Sequence, residues 1–170
     1  MRNTFVKSAL VAAMLLGLSG AALAGTDTSS LTVSATVAAS CTIDASAGLA
    51  FGSYDPVVAN KTTDLDASGL ISTTCTNGSA ATITLGQGAN LDAASTDAVP
   101  LRRMVGGTTD FLAYALFTDG GRTTTWDNTT GNPVTGTGVA VNTTVFGRIP
   151  AAQNVPANSY NDTVLATITF

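Results

Sequence analysis

The chain has 170 residues, enough for one domain, and a formal net charge of −4. It contains no His, its eleven acidic residues are all Asp, and only 11% of its residues are charged. Without His there is no imidazole base, no His-ligated zinc site and no His-ligated haem. Seven Lys and Arg against eleven acids argue against a nucleic-acid-binding surface. The composition therefore does not indicate an enzyme.

The first 24 residues have the pattern of an export signal. Arg2 and Lys7 give a positively charged start, residues 9–18 form an apolar run, and Ala-Leu-Ala at 22–24 is a small-x-small cleavage site. The run is too short for a membrane-spanning helix, which needs roughly 20 apolar residues. We therefore predict that residues 1–24 are a signal peptide rather than a retained anchor. The exported chain then begins at Gly25 and is acidic.

The two cysteines of the chain, Cys41 and Cys75, both follow the predicted signal peptide. A pair of cysteines in an oxidising compartment indicates a disulfide. The alternative, a reactive thiol, would need a His or nearby cations to lower its pKa, and the chain offers few. Closing a loop of about 35 residues would stabilise the fold by roughly 3–4 kcal/mol. We predict a structural disulfide.

Most of the exported chain has the composition of strands and turns. Thr, Gly and Asn are common, Glu is absent, and Lys61 is the only Lys after residue 24. The β-rich runs are residues 31–39, 49–54, 70–76, 81–85, 111–117, 138–146 and 163–170. Turn-forming clusters separate them, for example at 76–79, 118–121 and 129–133. Seven or so short strands of this kind predict a β-sandwich.

The C-terminal run alternates with a period of two up to the last residue. Its apolar positions are Val164, Ala166, Ile168 and Phe170, with Thr or Leu between them. We therefore predict that the chain stops inside a strand, so that no later strand covers its neighbour.

The start of the exported chain has the same alternation. Polar residues 25–30 precede Leu31, Val33, Ala35 and Val37, which alternate with Thr and Ser. One interpretation is that this run is the first strand of the domain's own sheet. The other is that it is a detachable strand offered to another copy of the chain. The periodicity is compatible with both.

Several distinctive stretches follow one another over nearly all of the exported chain. They are Cys-Thr-Ile at 41–43, Leu-Ala-Phe-Gly-Ser-Tyr-Asp-Pro at 49–56, Cys75, Leu-Ala-Tyr-Ala-Leu-Phe-Thr-Asp at 112–119, Trp126, Phe-Gly-Arg-Ile-Pro-Ala-Ala-Gln at 146–153 and Ser-Tyr-Asn-Asp-Thr-Val at 159–164. Together and in this order, they resemble the spore coat protein U domain family, which includes pilin subunits of the archaic chaperone–usher pathway.

The resemblance implies an all-β fold, a six-stranded incomplete immunoglobulin-like β-sandwich that lacks its final strand. In such pilins a periplasmic chaperone first fills the open groove, and the N-terminal strand of the next subunit replaces it at an outer-membrane usher. Residues 25–39 are then the donor segment, which can run into the first strand, and residues 40–170 are the pilin domain. Carried onto this sequence, the donor side chains are Leu31, Val33, Ala35 and Val37, and the acceptor groove is lined by Val164, Ala166, Ile168 and Phe170.

The function implied is a structural subunit of a surface pilus that supports attachment and biofilm formation. The alternative within the same family is a secreted coat protein of the spore coat protein U type, and a soluble binding module or enzyme is the third possibility. The implied partners are further copies of the chain in a head-to-tail polymer, the chaperone and the usher. No catalytic residue, cofactor, metal, nucleic acid or small-molecule substrate is predicted. The chain would pass through the periplasm to the cell surface.

Some polar and aromatic residues invite a functional reading but have a structural one. We expect Arg102 and Arg103 to lie at a strand end or in a loop rather than to bind an anion. Arg148 is expected to pair with a nearby Asp such as Asp162 rather than to hold a ligand. Trp126 and the tyrosines are expected in the core rather than on a sugar-binding platform.

Overall fold

The computed structural model describes residues 24–170. The predicted signal peptide therefore lies outside the described residues, except for Ala24. Residues 24–170 form strands, turns and irregular segments without a helix. Accordingly, no helix in this part of the chain is long and apolar enough to cross a membrane.

Nine strands follow one another along the described chain. They are β1 Cys41–Asp44, β2 Leu65–Cys75, β3 Ala80–Leu85, β4 Arg102–Gly106, β5 Asp110–Phe117, β6 Asn132–Thr135, β7 Ala140–Ile149, β8 Tyr160–Asn161 and β9 Ala166–Thr169. Strands β1, β6, β8 and β9 have only two to four residues. Because these short pieces count separately, the structure has more strands than the six or seven expected.

The strands form two sheets. One has the order β1-β2-β7-β5-β4-β8 and the other has the order β6-β3-β9, and every paired neighbour is antiparallel. Ile71 and Val145 from the first sheet share one core with Ile83 and Leu85 from the second. The two sheets therefore face each other across a common core. The prediction of an all-β, immunoglobulin-like sandwich is confirmed.

The core follows from the alternation along β2, β5 and β7. Apolar residues at every second position point to the inside, where Ile71, Leu112, Leu116 and Ile149 are nearly fully buried. Trp126 is completely buried, and its indole nitrogen donates a hydrogen bond of 2.8 Å to the carbonyl of Ile83. The core position expected for Trp126 is confirmed.

The strand predicted at residues 49–54 is wrong, because this segment crosses the sheet instead of pairing within it. Leu49 and Phe51 lie against the backbone of β2 at Gly69 and of β7 at Gly147. A Cβ at Gly147 would come within 2.9 Å of both side chains, and one at Gly69 would collide with the carbonyl oxygen of Gly48. The apolar alternation therefore reflects packing against glycines, not membership of a ladder.

Strands β1, β4, β6 and β8 were not predicted. Strand β4 carries adjacent charges at Arg102 and Arg103, which obscured its pattern. Strand β6 includes Asn132 and Pro133, which the sequence placed in a turn. Pro133 is tolerated because β6 is an edge strand that pairs only with β3.

Arg102 is buried in the core and holds three backbone carbonyls. Its Nε donates to the carbonyl of Gly86 at 2.8 Å, and its Nη2 donates to those of Leu85 and Trp126 at 2.9 and 2.8 Å. Only 1% of the residue is exposed, and this desolvation lowers the pKa of the guanidinium from its ordinary value. Arg102 is thus a structural residue at a strand end, as expected, because it begins β4, and its side chain is buried inside the sandwich.

Arg148 pairs with Asp66, not with Asp162 as the sequence suggested. Residues 66 and 148 are directly opposite in the β2–β7 ladder, and the guanidinium donates to the two carboxylate oxygens at 2.8 and 3.0 Å. A second carboxylate, Asp64, also lies nearby, with its Oδ2 3.3 Å from Arg148 Nε. The structural role of Arg148 holds, but its partner is set by strand register, which the sequence does not display.

The Asp66–Arg148 pair predicts a pH dependence of stability. The hydrogen bond from Arg148 is the largest of the influences that together hold the pKa of Asp66 below its ordinary value of 3.8. A carboxyl with a lowered pKa stabilises the fold above its unfolded pKa and loses that contribution as pH falls through its folded pKa. Asp66→Asn is therefore expected to reduce the free energy of unfolding at pH 7 but to weaken its decline below pH 3.8. Denaturant unfolding from pH 7 to pH 2 measures both.

Asp27 provides the matched control for this prediction, because it lies in an exposed segment without regular secondary structure. Asp27→Asn should leave the stability curve unchanged at every pH. A curve for Asp66→Asn that parallels the unmodified protein over the whole range would show that the ion pair contributes nothing.

The predicted disulfide between Cys41 and Cys75 is confirmed. The two residues are directly opposite in the β1–β2 ladder, with Cα atoms 4.1 Å apart. Since β1 has only four residues at the edge of its sheet, the disulfide fixes the strand that begins the sandwich.

Removing this disulfide should lower stability measurably. Replacing Cys41 and Cys75 together by Ser is expected to reduce the free energy of unfolding by about 3 kcal/mol, because the unfolded chain regains the entropy of an open loop. Urea unfolding measures the difference. The unmodified protein unfolded with and without reductant is the control, and it should show the same difference; equal stability in both conditions would contradict the prediction.

Candidate strand-acceptor site

The site is built around the free edge of β9. Strand β9 pairs with β3 on one side, with Leu85 opposite Ala166 and Thr82 opposite Thr169. Within residues 24–170, the other edge of β9 has no partner. Strand β1 is likewise an edge strand, paired only with β2. Strands β1 and β9 lie close to each other, so these two unpaired edges, one from each sheet, border the same side of the sandwich.

A cleft between these edges opens into the core. A cavity of about 330 Å³ reaches the otherwise buried side chains of Ile71, Leu85, Leu116 and Val145. A second, more open cavity of about 390 Å³ lies beside it. We call the two together the acceptor cleft; the residues lining both cavities are Ala45, Thr163, Val164 and Ala166.

The four predicted groove residues differ in their positions. Val164 and Ala166 line both cavities of the acceptor cleft. Ile168 is half-buried, opposite Ile83, and packs against the core without lining either cavity. Phe170 follows β9 and is 56% exposed. All four lie at alternate positions of the run, on the side of β9 that faces the core, so the predicted period-two alternation is present.

The opposite wall of the acceptor cleft was not identified from the sequence. It includes Ile43 at the end of β1 and, deeper in the core, Leu49, Phe51 and Met104. Ile43, Leu49 and Phe51 all belong to stretches that carried the family resemblance. Those stretches were used only to recognise the family, although the apolar residues in them also indicated a packed surface.

The polar residues at the inner end of the cleft satisfy one another. The hydroxyl of Tyr114 donates to Asp162 Oδ2 at 2.7 Å, and Asp162 Oδ1 accepts from the backbone nitrogens of Ala89 and Asn90 at 2.9 and 3.1 Å. Burial, followed by the bond to Asp162, raises the pKa of Tyr114 above its ordinary value. The hydroxyl therefore stays a protonated donor, and the cleft is suited to apolar side chains rather than to acid–base chemistry.

A metal site is not formed in the part of the chain that the structure describes. Between residues 24 and 170, no group of three or more Asp or Cys side chains is close enough to hold an ion.

The predicted donor residues are exposed. Residues 24–39 have no regular secondary structure, and Leu31, Val33 and Val37 are 88%, 84% and 82% exposed. Thr36–Phe170 form one compact unit. Within this unit, the first hydrogen bonds from the segment before β1 go to Thr76, just after β2: its hydroxyl donates to the Ala38 carbonyl at 3.4 Å and its nitrogen donates to the Ser40 carbonyl at 2.9 Å. Residues 31–39 are therefore not a strand of the domain's own sheet in this structure.

Among solved structures, the chain is similar to one from a complex of a chaperone with a pilus subunit. That structure is described as the CsuC–CsuE chaperone–tip adhesion subunit pre-assembly complex from archaic chaperone–usher Csu pili of Acinetobacter baumannii. The identity is 22% over 79% of this chain, with a TM-score of 0.45. The similar region spans 40% of the length of that chain.

Comparison with protein sequences is more specific. Protein U of Myxococcus xanthus is 48% identical over 176 residues, which cover 99% of this chain and 98% of the relative. The family model described as Spore Coat Protein U domain matches residues 27–167. The match extends from the exposed N-terminal segment to β9 and contains both walls of the acceptor cleft. The chain belongs to the spore coat protein U domain family.

Proposed function

We propose that this protein is a structural subunit of a cell-surface polymer and that it assembles by donor-strand exchange. Residues 25–39 of one copy would occupy the acceptor cleft of the next. A single observation carries the proposal: one chain presents an unpaired strand edge beside an open apolar cleft and, elsewhere, an exposed segment with matching apolar alternation.

The physical chemistry of the cleft supports strand addition. A free strand edge offers unpaired backbone donors and acceptors, which invite pairing with another strand. An added strand would supply ladder hydrogen bonds to β9, while alternate side chains would fill the cleft. Leu31, Val33, Ala35 and Val37 have the spacing that this requires.

The location of donor and acceptor explains why a polymer would form rather than a closed dimer. The donor residues precede β1, and the acceptor residues lie at and around β9. A contact between two different surfaces is heterologous, so each added copy exposes a new donor or a new acceptor. Growth then continues at the free end of the chain of subunits.

The same exposed edge suggests a need for assembly factors. A subunit with an open apolar cleft would aggregate during export unless another protein covered the β9 edge. We propose that a periplasmic pilus chaperone performs this role and that an outer-membrane usher catalyses the exchange for the next subunit. The confirmed disulfide fits passage through an oxidising compartment.

The family is one of structural proteins, so the chain is not an enzyme. Within this role, the first candidate product is a surface pilus that supports attachment and biofilm formation. The second is a secreted coat, favoured by the 48% identity to Protein U over nearly the full length of both chains. Electron microscopy of the cell surface separates the two, because a pilus appears as thin fibres and a coat as a continuous layer.

The experiment that tests donor-strand exchange is a denaturing gel of the native surface fraction, loaded without boiling. Strand-exchanged polymers should give a ladder at multiples of the subunit mass that collapses on boiling. Deletion of residues 25–34 should remove the ladder and leave the monomer. A single monomer band from the unmodified protein would refute the proposal.

A further inference from the structure

The topology defines two ends of the sandwich, which limit how a donor segment can enter. We call the end that carries Cys41, Cys75 and the turn after β2 the disulfide pole. Strand β3 leaves this pole, and β9 returns to it, since Thr169 lies opposite Thr82 near the start of β3. The other end, where β2 begins and β7 ends with Leu65 opposite Ile149, is the far pole.

A short linker restricts the position of the subunit that supplies the donor. Only three residues separate Val37 from Cys41. Four residue steps reach at most about 14 Å. The disulfide pole of the donating subunit must therefore lie close to the place where its Val37 enters the cleft.

This constraint determines the direction of insertion. A donor parallel to β9 would bring its Val37 to Phe170 and place the next domain at the disulfide pole, where the accepting subunit's own donor segment departs. The domain of the next subunit and the accepting subunit's own donor segment, with the domain that it enters, would then compete for the same space at the disulfide pole. An antiparallel donor brings Val37 to Val164 instead, so the next domain lies toward the far pole, and the polymer can continue.

Parity then determines which residues are opposite. Directly opposite residues of an antiparallel pair face the same side of a sheet, so inward-facing donor residues must lie opposite inward-facing residues of the β9 run. We propose, building on donor-strand exchange, that Leu31 lies opposite Phe170, Val33 opposite Ile168, Ala35 opposite Ala166 and Val37 opposite Val164. This register uses all four inward-facing residues on both sides.

The register also accounts for the exposure of both partners. Leu31 would cover Phe170, which is 56% exposed in the subunit, and Val37 would enter the cleft beside Val164. A shift of two residues in either direction leaves one apolar donor side chain without an inward-facing partner. The polar residues 25–30 would extend past the disulfide pole into solvent.

Cysteine pairs that share one residue test the register. Ala35→Cys with Ala166→Cys places two thiols on directly opposite residues, whose Cα atoms are about 4.5–5.5 Å apart in an antiparallel pair. Disulfides form at such separations, whereas Cα atoms more than about 7 Å apart cannot be bridged. The matched controls are Val33→Cys and Val37→Cys, each combined with Ala166→Cys. The 33/166 pair would be bridged if the donor inserted parallel to β9 with its four apolar residues opposite the same four acceptor residues. The 37/166 pair would be bridged if an antiparallel donor were shifted by two residues.

Each variant is assembled, oxidised and run on two gels. The unboiled gel reports assembly, and a boiled, non-reducing gel reports covalent links between subunits. The expected result is a covalent ladder for the 35/166 pair alone. A covalent ladder from either control pair, or none from 35/166 in a variant that assembles, would overturn the register while leaving donor-strand exchange in place.

A second pair makes the test independent of Ala166. Val33→Cys with Ile168→Cys reports the same register one pair further along the strand, and it should also give a covalent ladder. If the variant with cysteines at 35 and 166 does not assemble, the variant with cysteines at 33 and 168 tests the register alone. Absence of any unboiled ladder from the unmodified protein would instead refute the proposed function, and the register with it.

Discussion

Val33→Asp should abolish the polymer and leave the subunit folded. In the subunit Val33 is 84% exposed, so a carboxylate there remains in water and costs no stability. In an assembled polymer the same side chain would face the apolar core, where an unpaired charge costs several kcal/mol, roughly 2–7 even for an uncharged polar group. The unboiled gel measures the loss of the ladder, and the thermal midpoint of the subunit measures the unchanged fold.

Ser34→Asp is the matched control, one residue along the same segment. Its side chain has the opposite parity and would face away from the cleft, so a charge there stays solvated. This variant should form a normal ladder. Equal loss of polymer in both variants would mean that the segment acts through its charge rather than through its inward-facing side chains, and a normal ladder from Val33→Asp would exclude the donor assignment.

Arg102→Met should be the most damaging substitution in the subunit itself. It leaves the carbonyls of Leu85, Gly86 and Trp126 without their donor in a site from which water is excluded. An unsatisfied buried polar group costs about 1–3 kcal/mol, so a loss of about 3–5 kcal/mol in the free energy of unfolding is expected. Urea unfolding at pH 7 measures it, and such a loss is a large fraction of the stability of a small domain.

Arg103→Met is the control, since the two residues are adjacent in β4 and of the same type. The guanidinium of Arg103 is partly exposed, 3.0 Å from Asp92 and 4.2 Å from the centre of the Phe111 ring. It also donates to the carbonyls of Asn90 and Leu91 at 3.3 and 2.7 Å, but water can replace these bonds at the surface. Exposed contacts of this kind contribute little, so a loss of about 1 kcal/mol or less is expected. Similar losses from both variants would contradict the core role of Arg102.

The contrast between these two arginines shows what the sequence could not provide. Arg102 and Arg103 are identical side chains at adjacent positions, and the sequence suggested a strand end or a loop for both. Their difference follows from the alternation of β4 and from the three carbonyls that two separate segments, Leu85–Gly86 and Trp126, bring to Arg102. Such a site depends on contacts between distant parts of the chain, which no local pattern contains.

The same distinction holds for the rest of the fold. Period-two alternation correctly indicated an all-β chain and the inward-facing residues of β9, because it reports which side of a strand is buried. It failed at residues 49–54, where alternation comes from packing across Gly69 and Gly147. It also could not pair Arg148 with Asp66, since register is set by the complete ladder. One wall of the cleft was thus predictable, and the other required the structure.

The Cys41–Cys75 bond has a consequence for mechanics. In a polymer assembled as proposed, tension would enter each subunit through the donor segment and reach the sandwich at Cys41. The bonds between Ser40 and Thr76 would bear the load first, followed by the hydrogen bonds of the four residue pairs of β1 and β2. The disulfide transfers this force covalently to β2, whose ten residue pairs with β7 form the longest ladder of the sandwich. A subunit under load would then yield within its sheets rather than by peeling off its first strand.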